Sequence, residues 1–104
     1  MYADDKSPGE AKVGTPSLAG FVAWLETKDP SGWYNLYTSR ECAYGRYYRD
    51  IGRSYEVSFS SIGPDLGLTP MQAHDVVHGE GRHDWTYGAA LKRARTLLTN
   101  HGAR

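Results

Sequence analysis

The chain has little of what several large protein classes need. Its 104 residues include a single cysteine, Cys42, so no disulfide can form within the chain, and a lone thiol is typical of a reducing compartment. No apolar run approaches the ~20 residues that a membrane-spanning helix requires. The N-terminal residues are acidic and lead into no apolar stretch, so we expect no secretory signal peptide. These absences predict a cytoplasmic protein without a membrane partner.

Excess charge of one sign is also missing. Twelve basic residues balance twelve acidic ones, which gives a formal net charge of zero. Proteins dedicated to nucleic acid usually carry a basic excess for phosphate contacts, so the balance disfavours that class but leaves room for a local patch. Leucine, isoleucine and valine are sparse, and we therefore expect aromatic side chains to supply much of the core.

The densest feature is a run of aromatics and arginines. Residues 33–53 contain six large aromatic side chains and four arginines, namely Trp33, Tyr34, Tyr37, Tyr44, Tyr47, Tyr48, Arg40, Arg46, Arg49 and Arg53. Trp, Tyr and Arg dominate binding energy at many protein interfaces, because they offer large contact area at low entropy cost. Helical spacing assigns Tyr44, Tyr47 and Tyr48 to the core. The predicted partner-binding residues are Trp33, Tyr34, Tyr37, Arg40, Arg46, Arg49 and Arg53.

The order of local signals predicts a mainly α fold, an α+β arrangement with minor β. Residues 1–16 are expected to form a tail or arm, and residues 17–104 a single globular domain. We expect four helices: from Ser17 to about residue 28, from Ser39 to residue 51, from Thr69 to about residue 79, and from Thr86 to Gly102. Residues 54–60 alternate between apolar and polar side chains, which is typical of a half-buried strand, and residues 33–38 form a loop or a short strand. Gly63, Pro64 and Gly67 predict a loop.

The segment from His74 to Asp84 contains several groups that can ligate metal. Two histidines four apart on a helix can chelate zinc, and His83 and Asp84 lie close behind them in sequence. The spacing resembles the metzincin metalloprotease pattern in reduced form. However, Asp75 stands where that family has its catalytic glutamate, and no methionine follows to form the family's Met-turn. We expect no resident metal or other cofactor, and keep as an alternative a small zinc-binding protein that uses His74 and His78.

No other pattern predicts catalysis. A thiolate at Cys42 would be favoured by nearby arginines, but no histidine lies close in sequence to act as its base. The carboxylates are scattered, and no glycine-rich phosphate loop is present. We therefore expect a protein that is not an enzyme. A second alternative is a nucleic-acid-binding regulatory protein, in which the tyrosines of the 33–53 segment stack on bases while its arginines contact phosphates.

Several short segments resemble small proteins encoded by bacterial phages and prophages. They are FVAWLE at 21–26, DP at 29–30, CA at 42–43 with Tyr47, WTYGAAL at 85–91 and RA at 93–94. The resemblance covers about half of the chain. It implies a small cytoplasmic protein that binds a larger host protein or ribonucleoprotein complex and inhibits it sterically, in the manner of anti-CRISPR proteins.

Overall fold

The computed structural model describes residues 14–36, 41–53 and 58–100. In these ranges the chain forms five α-helices and one 3₁₀ turn: α1 (Leu18–Glu26), α2 (Ala43–Asp50), α3 (Phe59–Leu66), α4 (Pro70–His78), the turn Arg82–Asp84, and α5 (Tyr87–Asn100). The prediction of a mainly helical fold is confirmed. The predicted minor strands are not seen there, because the only extended pairing in the described ranges is an isolated antiparallel bridge between Trp33 and Thr86.

Side-chain caps start three of the predicted helices where the sequence places them. The Ser17 hydroxyl accepts a hydrogen bond from the N–H of Gly20 at 2.9 Å, which satisfies one free donor in the first turn of α1. Thr69 and Gln72 form a reciprocal capping box at the start of α4, with Pro70 as its first residue. The Thr86 hydroxyl accepts from the N–H of Ala89 at the start of α5.

Helix α2 is shorter than predicted. It begins at Ala43, with Cys42 as its N-cap, whereas Ser39 lies outside the described residues. It ends at Asp50, and Gly52 follows with a φ of 86°, a left-handed conformation that suits a residue after a helix end. The N–H of Gly14 donates to the carbonyl of Ile51 at 2.7 Å, so the chain at residue 14 packs against this end of α2.

The prediction of a strand over 54–60 and a loop at Gly63 and Pro64 is wrong where the structure describes it. Residues 54–57 lie outside the described ranges, but Ser58 caps α3 through a reciprocal pair of hydrogen bonds with Ser61. Gly63 lies inside α3, at a position where a β-carbon would come within 2.7 Å of the Leu68 carbonyl oxygen. Gly67, at a φ of 72°, ends the helix. The glycines therefore mark a close approach and a helix end rather than a loop.

Aromatic side chains supply the centre of the core, as the composition indicates. The rings of Phe21 on α1 and Tyr44 on α2 are both fully buried, with centroids 4.8 Å apart. Tyr47 and Tyr48 are buried as well, which confirms the prediction that this tyrosine face of α2 packs inward. The buried hydroxyls remain satisfied, because Tyr44 donates to the carbonyl of Ala73 and Tyr48 to the Asp65 carboxylate, each at 2.7 Å.

Three side chains from elsewhere in the chain satisfy the last carbonyls of α4. A helix leaves its final carbonyls without intrahelical donors. The guanidinium Nε of Arg93 donates to the Val76 carbonyl at 2.7 Å, and the Tyr34 hydroxyl donates to that of Val77 at 2.5 Å. The indole of Trp85 donates to the His78 carbonyl at 3.0 Å. These contacts tie α4, α5 and the segment around residue 34 together.

Candidate functional site

Trp33 displays its side chain from a backbone that is fixed on both sides. The indole is 55% exposed, one of two large apolar side chains in the described residues that reach solvent to this degree. The backbone of Trp33 bridges to Thr86. On either side, the N–H of Tyr34 donates to the Trp85 carbonyl at 3.1 Å, and the N–H of Tyr87 donates to the Gly32 carbonyl at 3.0 Å. Because these bonds are between backbone groups, they hold the position of the indole without using its side chain.

The turn before Trp33 is also ordered by hydrogen bonds. The Asp29 carboxylate accepts from both the N–H and the hydroxyl of Ser31, at 3.0 and 2.9 Å. These bonds favour the ionised form and lower the pKa of Asp29. The N–H of Gly88 donates to the Pro30 carbonyl at 3.0 Å, which attaches the turn to the first turn of α5. Residues 29–34 thus form a platform that packs on the start of α5.

Tyr34, predicted as a partner-binding residue, is a core residue. Only 3% of its surface is exposed, and its hydroxyl donates to the Val77 carbonyl at the carboxyl end of α4. Burial also raises the pKa of this tyrosine. Tyr34 therefore cannot supply contact area to a partner while the domain is folded, although it holds its exposed neighbour Trp33 in place.

The predicted arginines divide between internal and exposed positions. Arg46 is half-buried, and its guanidinium donates to the Tyr87 hydroxyl at 2.7 Å, which places it beside the first turn of α5. Arg49 is exposed, with its Nε 3.9 Å from the Asp50 carboxylate, and Arg53 is exposed near the Gly14 carbonyl. Tyr37 and Arg40 lie outside the described residues.

The structure brings together some of the predicted residues. Arg46 and Trp33 both approach the first turn of α5, one through Tyr87 and the other through Thr86. No hydrogen bond, ion pair or ring contact within the described ranges joins Arg49 or Arg53 to Trp33. Trp33 and Arg46 therefore share one region of the molecule, and Arg53 belongs to the opposite end of α2.

An open groove on α5 extends from this region. It has a volume of about 610 Å³ and is lined by Gly88, Leu91, Lys92, Arg95, Thr96 and Thr99, together with Asn100. Gly88 carries the hydrogen bond to Pro30, so the groove starts where the platform packs on α5. Two cationic side chains lie along it, of which Arg95 pairs with Glu26 at 2.7 Å. These lining residues all belong to one open face of α5, whose helical spacing is visible in the sequence, whereas its place beside the platform is not.

A second exposed cluster, also missed from the sequence, joins α1 to α2. The Trp24 indole donates to the Asp50 carboxylate at 2.8 Å, and the Lys28 ammonium lies 4.6 Å from the centre of the Trp24 ring. Lys28 is also 3.5 Å from Asp50. The four-residue spacing of Trp24 and Lys28 predicts that these two side chains are neighbours on one helix face. Their contact with Asp50 depends on how α1 and α2 pack and could not be predicted from spacing.

The histidine segment divides into a pair and a separate turn. The rings of His74 and His78 stack with centroids 4.7 Å apart on the side of α4 away from its buried face. His83 is exposed and lies 3.7 Å from the Asp84 carboxylate. That carboxylate also accepts from the N–H of Glu80 at 2.8 Å, which lowers the pKa of Asp84. In the part of the chain that the structure describes, no three His, Cys, Asp or Glu side chains are placed to hold one metal ion, so the metzincin-like pattern assembles no such site there.

Cys42 is not set up as a nucleophile. Its side chain is buried, and burial raises the pKa of the thiol despite opposing effects of backbone N–H groups and of Arg46. The thiol form is therefore favoured, and the idea that nearby arginines stabilise a thiolate is not supported. Among the described residues, no helix is long and apolar enough to cross a membrane.

Comparisons of this chain with protein-family models, with curated proteins and with solved structures found no match.

Proposed function

We propose that this chain is a non-enzymatic protein–protein interaction module that binds a larger host complex and inhibits it sterically. The single observation that supports this is Trp33, a tryptophan held 55% exposed on a platform of backbone hydrogen bonds. An exposed tryptophan costs solubility and adds no core packing. A tryptophan that is exposed on a rigid platform is typical of an interface hot spot.

The rigidity of the platform matters for affinity. Ordering a flexible side chain or loop on binding costs free energy, and a segment already fixed in its bound form avoids that cost. The turn at Asp29, the bridge to Thr86 and the burial of Tyr34 fix the backbone on both sides of Trp33. A partner with an apolar pocket for the indole gains contact area with little loss of entropy.

The groove on α5 extends the contact surface beyond one side chain. It begins at the residue that bonds the platform, and Lys92 gives it a positive charge, whereas the charge of Arg95 is paired with Glu26. In this proposal Trp33 fills a pocket on the partner, and an acidic or polar element of the partner lies along α5. The action is steric, so neither a cofactor nor a reacting group is needed. In this proposal the chain is encoded by a mobile element and acts in an anti-CRISPR-like manner, as the sequence resemblance implies.

The test compares three tagged baits in nuclease-treated bacterial lysate: the native chain, Trp33→Ala and Met71→Ala. Met71 is the matched control, because it is 74% exposed but lies on α4 with no comparable platform. We expect the native chain and Met71→Ala to retain the same partner. Trp33→Ala should weaken affinity for that partner by about 30-fold or more, the equivalent of a hot spot of ~2 kcal/mol.

Other outcomes separate the alternatives. Unchanged affinity of Trp33→Ala, with the domain folded by circular dichroism, would exclude Trp33 as the hot spot. Binding that is seen only in a parallel lysate without nuclease, and that falls steeply with salt, would replace the proposal with nucleic-acid recognition. Inhibition itself is tested by adding the purified chain to the captured complex and measuring the activity of that complex.

A further inference from the structure

The stacked histidines on α4 form a site that the proposed interaction surface does not use. His74 and His78 lie one turn apart, and the opposite face of α4 is buried through Ala73, Val76 and Val77. The side chain of His74 is 41% exposed, so an ion can reach it from solvent. Their ring planes differ by only 22°, with centroids 4.7 Å apart.

The hydrogen bonds of the two rings fix which nitrogen carries the proton. The Nδ1 of His78 lies 2.9 Å from the Gly79 carbonyl, and that of His74 lies 3.3 Å from the Asp75 carboxylate. A carbonyl or a carboxylate only accepts, so in the neutral rings both protons are on Nδ1. Both Nε2 atoms then carry a lone pair, and no hydrogen bond to them occurs among the described residues. This is the arrangement found around metal-bound histidines, where the second ring nitrogen donates to an oxygen.

Neighbouring aromatics hold the pair in place. The ring of Phe59 on α3 meets His74 edge to face at 5.1 Å, and the Trp85 ring lies 6.2 Å from His78. Two Zn–N bonds of about 2.0 Å at a tetrahedral angle place the nitrogens about 3.3 Å apart. The lone pair of each Nε2 lies in its ring plane, so chelation requires side-chain rotations that turn the stacked rings until both lone pairs converge on one ion.

We propose that His74 and His78 chelate a divalent transition-metal ion of the zinc, nickel and copper class through their two Nε2 atoms. Imidazole ligands favour these ions, whereas magnesium and calcium prefer oxygen. Asp75 accepts from the Nδ1 of His74 and so orients that ring, without binding the ion itself. Because the described residues offer no group of three ligands, the site is open, and water occupies the remaining positions. The inference is independent of the proposed partner surface at Trp33.

The experiment uses the full chain with its affinity tag removed, because a polyhistidine tag would bind the same ions. Zinc chloride, and separately nickel chloride, is titrated by calorimetry, and the melting temperature is followed in parallel. We expect a single site, a rise in melting temperature with zinc, and no response to magnesium. His74→Gln and His78→Gln should each weaken zinc binding by more than tenfold, and Asp75→Asn by about tenfold. His83→Gln is the matched control and should leave the affinity within twofold.

Three results would overturn the site. One is the absence of any zinc response in the native chain at millimolar metal, and another is equal binding by the double variant His74→Gln/His78→Gln. The third is a loss of affinity in His83→Gln as large as that in His78→Gln. Nitrogen NMR of the native chain gives a readout that does not depend on variant folding, because zinc must shift the Nε2 resonances of His74 and His78 and leave those of His83 in place.

Discussion

Replacing Arg93 with methionine removes one of the three side chains that satisfy the carboxyl end of α4. The guanidinium donates to the carbonyls of Val76 and Asp84 at 2.7 and 2.9 Å and to the Tyr34 hydroxyl at 3.3 Å. Val76 is 1% exposed, so we expect its carbonyl to lose its only donor without gaining water. An unsatisfied buried acceptor costs ~1–3 kcal/mol, and the loss of the remaining charged hydrogen bonds adds to it. We therefore expect Arg93→Met to lower the free energy of unfolding by about 2–4 kcal/mol.

Urea denaturation followed by tryptophan fluorescence measures this loss. The midpoint should fall at unchanged slope, and the melting temperature should drop by about 10–25 °C. Lys92→Met is the matched control, because Lys92 is adjacent to Arg93 and its side chain is exposed. This substitution should change the free energy of unfolding by less than ~0.5 kcal/mol. Arg93→Lys keeps the charge but loses the planar fork, and should lie between the two. If Arg93→Met is as stable as Lys92→Met, the side-chain capping of α4 does not contribute as argued.

Two further predictions concern packing and pH. Gly63→Ala should destabilise the domain by ~1–3 kcal/mol in urea denaturation, because its β-carbon would meet the Leu68 carbonyl oxygen at 2.7 Å; an effect below ~0.5 kcal/mol would contradict that close approach. Burial raises the pKa of Tyr48 above its ordinary value, and the Asp65 carboxylate raises it further, so folding favours the neutral phenol. The resulting stability is complete below about pH 10 and is lost as the pH rises beyond it. Tyr48→Phe should therefore flatten the alkaline fall in the free energy of unfolding between about pH 9 and 11. Urea titrations at several pH values in that window measure this fall. An unchanged slope would contradict this role for Tyr48.

Part of the fold follows from local chemistry and could be predicted. Ser17, Thr69 and Thr86 act as N-caps because a hydroxyl on the residue directly before a helical run can accept from the free N–H three residues further on. The inward tyrosine face of α2 follows from helical spacing alone. These features depend on residues within one turn of each other, so the sequence contains all the information they need.

The errors arose where a distant contact overrides a local signal. Alternation predicted a strand through Phe59, but the packing of α3 against α4 selects a helix, which Ser58 and Ser61 then cap. Helical spacing groups Arg93 with Lys92 and Arg95 on the polar side of α5, yet its guanidinium reaches the end of α4. The same holds for Tyr34, which belongs by sequence to an exposed aromatic run and by structure to the core.

The candidate sites show the same division. The sequence by itself determined the helical class, the cap positions, the balanced charge and the four-residue spacing of His74 and His78, because each depends on composition or on neighbours along one helix. Tertiary structure decided which residue of the Trp33–Tyr34 pair is exposed and that the platform packs on α5. Those outcomes depend on groups up to 59 residues apart, as in the bond from Arg93 to Tyr34, and only the folded chain brings such groups into contact.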